Sequence, residues 1–284
     1  MRYHFVHLED YFALTTWDRD IDGAFGLLPA LDWTAFQAEI KRLNEACPPG
    51  ESVMVIYTAR HGQAEHNVLA DIYNMPEEVV SFHVAISRVV ERHLSNDLSD
   101  CPPDLFCPIS CPPPSSFHLR DFLQTLLRQV QKKRGILDPH LTPLGEAQAS
   151  TLSRALRREV EKGMPRPERY FVSPLRRVGE TATLEWSFLF PDSGLPAAVV
   201  ENIREHLHVH LCDARLPKRD LKNQFPSFTY PEAMDDEDVV WKSGDVRGRE
   251  TEDELVERTG KGLNEVIEMS GDAVCVFNLV ELET

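Results

Sequence analysis

An arginine, a histidine and a glycine that follow one short apolar run give the strongest chemical signal in the sequence. Residues 52–57 are mostly apolar and β-branched, a pattern typical of a strand buried in a parallel sheet, and Arg60, His61 and Gly62 come shortly after them. Ligands of open α/β sheets bind just beyond the carboxyl ends of strands. An imidazole there can attack a phosphorus atom, and a guanidinium can hold phosphate oxygens in a planar fork. A histidine beside an arginine is also common in solvated loops, so the tripeptide alone does not decide the chemistry.

Two further apolar runs end in polar residues that would complete such a site. The run 170–172 is followed by Arg176 and Arg177, and the run 197–200 is followed by an acidic segment that ends at Glu205. Before them, Thr142 and Pro143 are typical of an N-cap and a first helical position. Three strand ends are therefore expected to bring an Arg-His pair, an Arg pair and a carboxylate to the same edge of a sheet.

These segments together resemble the histidine phosphatase superfamily, the phosphoglycerate mutase-like proteins, and in particular its fungal phosphatase-like branch. The resemblance covers residues 1–70 and 136–278, and its ordered set of motifs is specific although each motif alone is not. The motifs are Arg60-His61-Gly62-Gln63 with His66-Asn67, Leu141-Thr142-Pro143-Leu144-Gly145 with Gln148-Ala149, Ser173-Pro174-Leu175 and Arg177 with Thr181-Ala182, the run 201–205, His210 with Cys212, Asp213 and Arg215, and Glu250-Thr251.

The resemblance implies a role for five side chains. His61 would be the nucleophile that becomes a phosphohistidine, and Arg60 and Arg177 would bind the transferred phosphoryl group. Asn67 would add a hydrogen bond to that group, and Glu205 would protonate the leaving alkoxide. Two guanidinium groups can neutralise phosphoryl oxygens without a metal ion, and a carboxyl group held protonated helps a poor leaving group to depart. The family chemistry uses no cofactor and no metal.

Two of these residues also have an ordinary structural interpretation. Arg177 could be a cation on a helix surface paired with Glu180, and Glu205 could be a solvated loop acid. The order of the motifs favours the functional interpretation for both.

The sequence departs from the family at the late strand, for which residues 273–277 are the candidate. The family presents a second histidine at the end of that strand, but no histidine follows His210, and Asn278 lies close to the expected position. An amide cannot supply a cationic donor to a phosphoryl oxygen. The family also continues with more helix and sheet, so we expect a truncated C-terminus and, for the chain as written, at best a very weak phosphatase.

A second departure lies between the first two motifs, at residues 71–134. Residues 101–114 contain three cysteines, whose spacing matches no common zinc finger, and six of the twenty prolines in the chain. The segment could be a family-type lid enlarged by an insertion, or sequence foreign to the mature domain, such as a retained intron read in frame. We favour the second interpretation and expect residues 76–133 to be poorly ordered. The expected organisation is a single domain over 1–284 that carries this atypical insertion.

Composition narrows the classes of partner and compartment. The 284 residues are 42% hydrophobic, enough for one sizeable α/β core, and carry a net charge of −16, which argues against nucleic acid and anionic membranes as partners. No leader and no membrane span are expected. The six cysteines, unevenly spread, suggest free thiols in a reducing compartment, so the cytoplasm, with the nucleus as a second possibility, is the expected location. The expected partner is a small phosphorylated substrate, and the sequence gives no indication of oligomeric state.

Three further segments give structural expectations. The acidic run 235–238 predicts a solvated helix start, and Thr251 with Glu254 predicts a capping box on a helix that runs to Glu268. That helix is expected to turn Leu255, Leu263, Val266 and Ile267 toward the core. His206, His208 and His210 alternate and could share one face as metal ligands, but pocket lining or strand packing is favoured.

The sequence as a whole predicts a three-layer α/β domain whose mainly parallel sheet has helices on both faces. The function it favours is phosphomonoester hydrolysis through a phosphohistidine on His61. A phosphoglycerate mutase-type phosphotransferase shares the first half-reaction and stays open. A non-catalytic, degenerate member that binds phosphorylated ligands is the third alternative, supported by the absent second histidine.

Overall fold

The protein is described by a computed structural model, which covers residues 32–68, 137–207, 211–241 and 248–271 and the backbone of the strand 275–279. The expectations for residues 71–134, for His208 and His210, and for residues beyond 279 concern parts of the chain outside these ranges. Within these ranges, every helix is too short or too polar to cross a bilayer.

Four parallel strands form the sheet, as the sequence predicts. They are β1 (Ile56–Arg60), β2 (Arg169–Val172), β3 (Ala197–Val199) and β4 (Cys275–Leu279), in the spatial order β1-β4-β2-β3. In β4, Asn278 is level with Ala59 on one side and with Val172 on the other. The carboxyl ends of β1, β4 and β2 therefore meet at one edge of the sheet. His61 and the residues that follow β2 lie at this edge.

The first strand begins later than the apolar run 52–57 predicts. Val53 lies in that run, but its N–H donates to Asn44 Oδ1 at 2.8 Å, and its carbonyl accepts from Asn44 Nδ2 at 3.0 Å. Because these groups bind a side chain, they cannot pair with a neighbouring strand. The ladder with β4 starts at Ile56 and continues to Arg60, so the arginine is itself the last residue of the strand.

Helices cover both faces of the sheet. The α-helices are α1 (Trp33–Ala46), α2 (Pro143–Glu161), α3 (Arg176–Trp186), α4 (Lys218–Gln224) and α5 (Glu252–Ser270), with 3₁₀ turns at Ser187–Leu189, Glu201–Ile203 and Leu211–Asp213. On β2, Tyr170 and Val172 pack into the larger core cluster, which includes residues of α1, α2 and α3. Phe171 points to the opposite face and packs with Val266 of α5. This alternation confirms the three-layer arrangement.

The predicted helix starts are confirmed. The Thr142 side chain accepts a hydrogen bond from Gly145 N and caps α2, with Pro143 in its first turn. Thr251 and Glu254 form the capping box of α5.

The predicted core stripe of α5 is partly wrong. Leu255 and Val266 are buried, but Leu263 is exposed and Ile267 is half-buried. The buried stripe instead passes through Gly262, where an added Cβ would lie 2.9 Å from the carbonyl carbon of Asn202. This backbone contact turns the helix so that Leu263 lies on its flank.

The prediction of a solvated helix start at the acidic run 235–238 is partly wrong, since residues 235–237 are exposed but start no helix. No helix forms there, and the Asp238 carboxylate is buried against Arg204, with Nη1 and Nη2 at 2.9 and 2.8 Å. The backbone carbonyls of residues 235, 236 and 237 accept hydrogen bonds from the Arg215 guanidinium at 2.8–3.2 Å. Two buried arginines from other segments thus fix this run in an irregular conformation.

Candidate active site

His61 is buried at the carboxyl end of β1 and has a defined tautomer. Its Nδ1 lies 2.6 Å from the carbonyl oxygen of Gly62, and a carbonyl only accepts hydrogen bonds, so Nδ1 carries the proton. The lone pair is therefore on Nε2, which accepts a hydrogen bond from Arg177 Nε at 3.2 Å. Of the two ring nitrogens, Nε2 is the one that could attack an electrophile, after the hydrogen bond from Arg177 is released.

Arg177, the second residue of α3, is fully buried and connects three groups of the site. Besides His61, its guanidinium donates to the carbonyl of Cys212 at 2.8 Å and forms an ion pair with Glu205. Burial alone would lower the pKa of Arg177, but the charge of Glu205, followed by those of Cys212, Asp213 and Asp138, raises it overall. The guanidinium is therefore a permanent cation next to the His61 lone pair.

Glu205 belongs to the segment that follows β3, and its carboxylate faces the same guanidinium. Its side chain keeps 25% of its exposure, whereas Arg177 keeps none, so the carboxylate is at the solvent side of the pair. The structure therefore brings three of the five predicted site residues into one chain of contacts, from His61 through Arg177 to Glu205.

The other two predicted residues lie at the border of this chain. Arg60 is exposed at the end of β1, and its charge acts on both His61 and His66. Asn67 accepts a hydrogen bond from Ala64 N at 2.9 Å through Oδ1, and its Nδ2 lies 3.3 Å from His66 Nε2. In this structure the amide therefore stabilises the turn that follows His61.

The electrostatic environment keeps His61 neutral. Burial, then Arg177, and more weakly Arg60 lower the pKa of His61 to about 3, although the contact with the Gly62 carbonyl opposes this. Burial and the same cations also lower the pKa of His66, whose ring centroid lies 6.0 Å from that of His61. An unprotonated imidazole is the form that can act as a nucleophile.

Two glycines allow the His61 loop to lie directly on the start of α2. A Cβ on Gly62 would lie 2.5 Å from Gly145 O, and a Cβ on Gly145 would lie 2.1 Å from Gln63 O. The two backbones are joined by Thr142 N donating to Gln63 O at 2.9 Å, and by Gln63 N donating to Gln148 Oε1 at 2.8 Å. This contact gives a physical reason for the glycine in the 141–145 motif.

Two residues to which the sequence assigned no role fix the start of α3. Thr181 Oγ1 accepts from Gly62 N at 3.1 Å and donates to Arg177 O at 2.8 Å, so it couples the histidine loop to the helix. Asp138 is fully buried and accepts from Arg176 N at 2.7 Å and from Leu216 N at 2.9 Å, and burial raises its pKa. A capping partner that lies 38 residues away in sequence leaves no local pattern by which it could be found.

The two structural alternatives for the charged residues can now be judged. Glu180 does not pair with Arg177: its carboxylate contacts His140, Leu141 N at 2.9 Å and Gln224 Nε2 at 3.0 Å. Arg177 is thus not a surface cation, and Glu205 is a partly exposed loop acid that is paired with Arg177.

For a metal, the described residues offer no group of three or more His, Cys, Asp or Glu side chains. His206 is buried with Nε2 2.6 Å from the Glu250 carbonyl oxygen, and its Nδ1 faces Arg249 at 3.2 Å. Both ring nitrogens therefore lie against groups of this chain.

Comparisons with known proteins agree with the motifs. Residues 124–278 match the model of the histidine phosphatase superfamily (branch 1), a region that contains Arg177 and Glu205 but begins after His61. A "Probable phosphoglycerate mutase" of Arthroderma benhamiae is 23% identical over 265 residues, which are 92% of this chain and 65% of that protein. "Phosphomutase-like protein 3" of Candida albicans is 31% identical over 107 residues, 37% of this chain and 31% of that protein. The chain thus spans less than two thirds of these relatives.

Among solved structures, the ecdysone phosphate phosphatase of Bombix mori in complex with tungstate matches with a TM-score of 0.43 and 14% identity, over 80% of this chain and 73% of that one. The family match does not depend on this weak similarity, since it comes from the sequence and includes α3, which carries Arg177. Because it covers more than half of the 284 residues, this protein belongs to the histidine phosphatase superfamily.

Proposed function

We propose that this protein is a phosphomonoester hydrolase that works through a phosphohistidine on His61. Nε2 of His61 attacks the phosphorus atom, the bond from phosphorus to the ester oxygen breaks, and Glu205 gives a proton to the leaving alkoxide. Water then attacks the phosphohistidine, which releases inorganic phosphate and restores the imidazole, and the proton that water loses returns to Glu205.

The contact chain from His61 through Arg177 to Glu205 carries this proposal. It joins a nucleophile in the correct tautomer, a permanent cation and a carboxyl group, with Arg177 Nε 3.2 Å from the attacking nitrogen. Phosphoryl transfer depends mainly on positioning and on neutralising the phosphoryl oxygens, and a planar guanidinium does both. A phosphate that takes Arg177 from Glu205 also releases that carboxyl group for protonation.

Two further residues support binding of the phosphoryl group. Arg60 is exposed, directly precedes His61 and adds a second positive charge, and Asn67 is on the turn that follows His61. We propose that Arg60 binds the phosphoryl oxygens once a substrate is present and that Asn67 adds a hydrogen bond.

Transfer to a second hydroxyl group is the alternative reaction. It is favoured by the names of two relatives, a probable phosphoglycerate mutase and a phosphomutase-like protein. The two reactions share the phosphohistidine and differ in whether water or a bound alcohol accepts the phosphoryl group.

We further propose that the rate is low. Asn278 lies at the carboxyl edge of the sheet between β1 and β2, close to the position where a second histidine is expected, and an amide carries no charge for the developing phosphoryl anion. Loss of one such donor typically costs about 10²–10³ in rate. If the loss of rate is complete, the protein binds phosphorylated ligands without catalysis, which is the third alternative.

Phosphate release from p-nitrophenyl phosphate, compared between the parent chain and His61→Ala, tests the proposal. The parent should hydrolyse the ester slowly and the variant should not, whereas His140→Ala, which removes an exposed imidazole, should keep the parent rate. Phosphorus NMR with 3-phosphoglycerate distinguishes free phosphate from an isomerised ester. Equal rates for the parent and His61→Ala would contradict the proposal, and binding of phosphate without turnover would favour the non-catalytic alternative.

A further inference from the structure

Arg258 of α5 binds the backbone of the segment that carries Glu205. Its Nη1 donates to the carbonyls of Asn202 and Arg204 at 2.9 and 3.0 Å, and its Nη2 donates to the carbonyl of Glu205 at 3.0 Å. This segment begins within the short 3₁₀ turn after β3 and belongs to no strand or α-helix. One guanidinium therefore binds three carbonyls of a segment that has no regular ladder.

Glu250 holds this guanidinium from the opposite side. Its two carboxylate oxygens bind Arg258 Nε and Nη2, both at 2.7 Å, in a bidentate pair. The same carboxylate accepts from Leu207 N at 3.1 Å, and the backbone of Glu250 donates to Leu207 O at 2.9 Å. The Arg258–Glu250 pair thus contacts the backbone of Glu205 and the backbone of Leu207.

Burial makes this pair a rigid support. Arg258 is 8% exposed and Glu250 is 3% exposed, so neither charge is solvated, and each depends on the geometry of the other. A planar fork between two carboxylate oxygens also fixes orientation, which a lysine ammonium group cannot do. The support acts on the backbone of Glu205, while the Glu205 side chain faces Arg177.

We infer that Arg258 and Glu250 are positioning residues that hold Glu205 where it can protonate the leaving group. This inference rests on the proposed function, because it gives Glu205 the role of proton donor. It also predicts a pattern that a general loss of stability would not produce. A displaced proton donor slows esters of poorly acidic alcohols, which need the proton, and leaves esters of acidic phenols almost unchanged.

The test compares kcat/KM for an alkyl phosphate and for p-nitrophenyl phosphate, since this constant includes departure of the leaving group. Glu250→Gln and Arg258→Lys should each lower the value for the alkyl ester by about 10² and the value for the nitrophenyl ester by less than about threefold. Glu205→Gln should give the same pattern. Lys261→Met, which removes an exposed ion pair with Glu257 on the same helix, is the matched control and should change neither value.

If a single variant does not fold, the double variant Glu250→Gln/Arg258→Met takes its place in the test. It removes both buried charges together, so no charge is left buried without its partner. Equal losses for the two esters, or no loss for either, would overturn the positioning role while the proposed function stands. Absence of any hydrolysis by the parent chain would instead overturn the proposed function and the inference with it.

Discussion

At the scale of single residues, one contact explains most of the chemistry proposed for this protein. Arg177 Nε faces the lone pair of His61, and the same guanidinium binds Glu205. A phosphoryl group that enters between these side chains would take the guanidinium from His61 Nε2 and from Glu205, and it would then face a nucleophile, a cation and a carboxyl group. The fold already holds these three groups together, which is the basis of electrostatic preorganisation.

Arg177→Lys tests the need for the planar fork. A lysine keeps the positive charge, but it cannot donate to His61, the Cys212 carbonyl and Glu205 in the same geometry. We expect kcat/KM for p-nitrophenyl phosphate to fall by about 10²–10³. Arg176→Lys, whose parent side chain contacts backbone carbonyls instead of His61, is the control and should lose far less. Comparable losses in both variants would show that the fork at position 177 has no special role.

The lowered pKa of His61 predicts how stability depends on pH. In the unfolded chain a histidine binds a proton near its ordinary pKa of 6.5, whereas in the folded protein His61 stays neutral down to about pH 3. The unfolded state therefore binds more protons between these values. The stabilisation is complete above pH 6.5, and it is lost as the pH falls toward 3. Urea unfolding measures this directly.

We expect His61→Gln to reduce the slope of the unfolding free energy against pH by up to about 1.4 kcal/mol per pH unit between about pH 6 and 4, the value for one proton. Contributions of the carboxyl groups are common to both proteins and cancel in the difference. Parallel curves for the parent and the variant would mean that His61 titrates normally in the folded protein.

At the scale of elements, the site depends on how closely the β1 loop lies on the start of α2. Gly145 is helical, so alanine would ordinarily stabilise it, but a Cβ there would meet the carbonyl oxygen of Gln63 at 2.1 Å. We expect Gly145→Ala to lower the unfolding free energy by about 1–3 kcal/mol, as overpacking does, and to reduce phosphatase activity by moving the His61 loop.

Gly260→Ala is the matched control, since it is also helical and has nothing within 4 Å of an added Cβ. It should raise the unfolding free energy by up to about 1 kcal/mol. If Gly145→Ala is as stable as Gly260→Ala, the two backbones are not in the close contact described. Chemical denaturation of the two variants in parallel gives this comparison.

Local signals in the sequence predicted those elements whose determinants are local. Thr142 with Pro143 and the Thr251–Glu254 box each specify a helix start within four residues, and both are confirmed. The start of β1 and half of the core stripe of α5 were predicted wrongly, because Asn44 of α1 and the backbone of Asn202 decide them from a distance.

The residues of the candidate site were likewise predictable only where the sequence carries a motif for them. His61, Arg177 and Glu205 could be named because motifs carry them and parallel strands end at one edge. The partners that hold them, Asp138 and Arg258, act across long stretches of chain and have no sequence pattern.

At the scale of the whole molecule, a strongly acidic chain buries four arginines among the residues that the structure describes. The net charge is −16, yet Arg177, Arg204, Arg215 and Arg258 are buried. Glu201 forms ion pairs with both Arg204 and Arg215. Asp238 of the acidic run 235–238 forms a further ion pair with Arg204. The network links segments that are separate in sequence, and of the four arginines Arg177 is the one whose contact with His61 puts its charge where a phosphorylated substrate is proposed to bind.

Asp238→Ala tests the contribution of this network to folding. Hydrogen bonds from Arg204 outweigh burial and lower the pKa of Asp238 to about 2, so the carboxylate is charged in the folded protein. Its removal leaves a buried guanidinium without this partner, and we expect a loss of about 3–5 kcal/mol in unfolding free energy. Glu237→Ala, which removes an exposed pair with Arg219, should cost less than about 1 kcal/mol. Similar small losses in both variants would mean that the buried network adds little.

Trapping of the phosphoenzyme tests the central claim most directly. The full chain is mixed with a phosphomonoester, quenched in alkali, where phosphohistidine survives, and digested for mass spectrometry. We predict one added phosphoryl group on the peptide that contains His61, its loss in His61→Ala, and its longer lifetime in Glu205→Gln, in which no carboxylate can accept the proton from the attacking water. A phosphoryl group on another residue, or turnover with no phosphorylated peptide at any time point, would contradict the account.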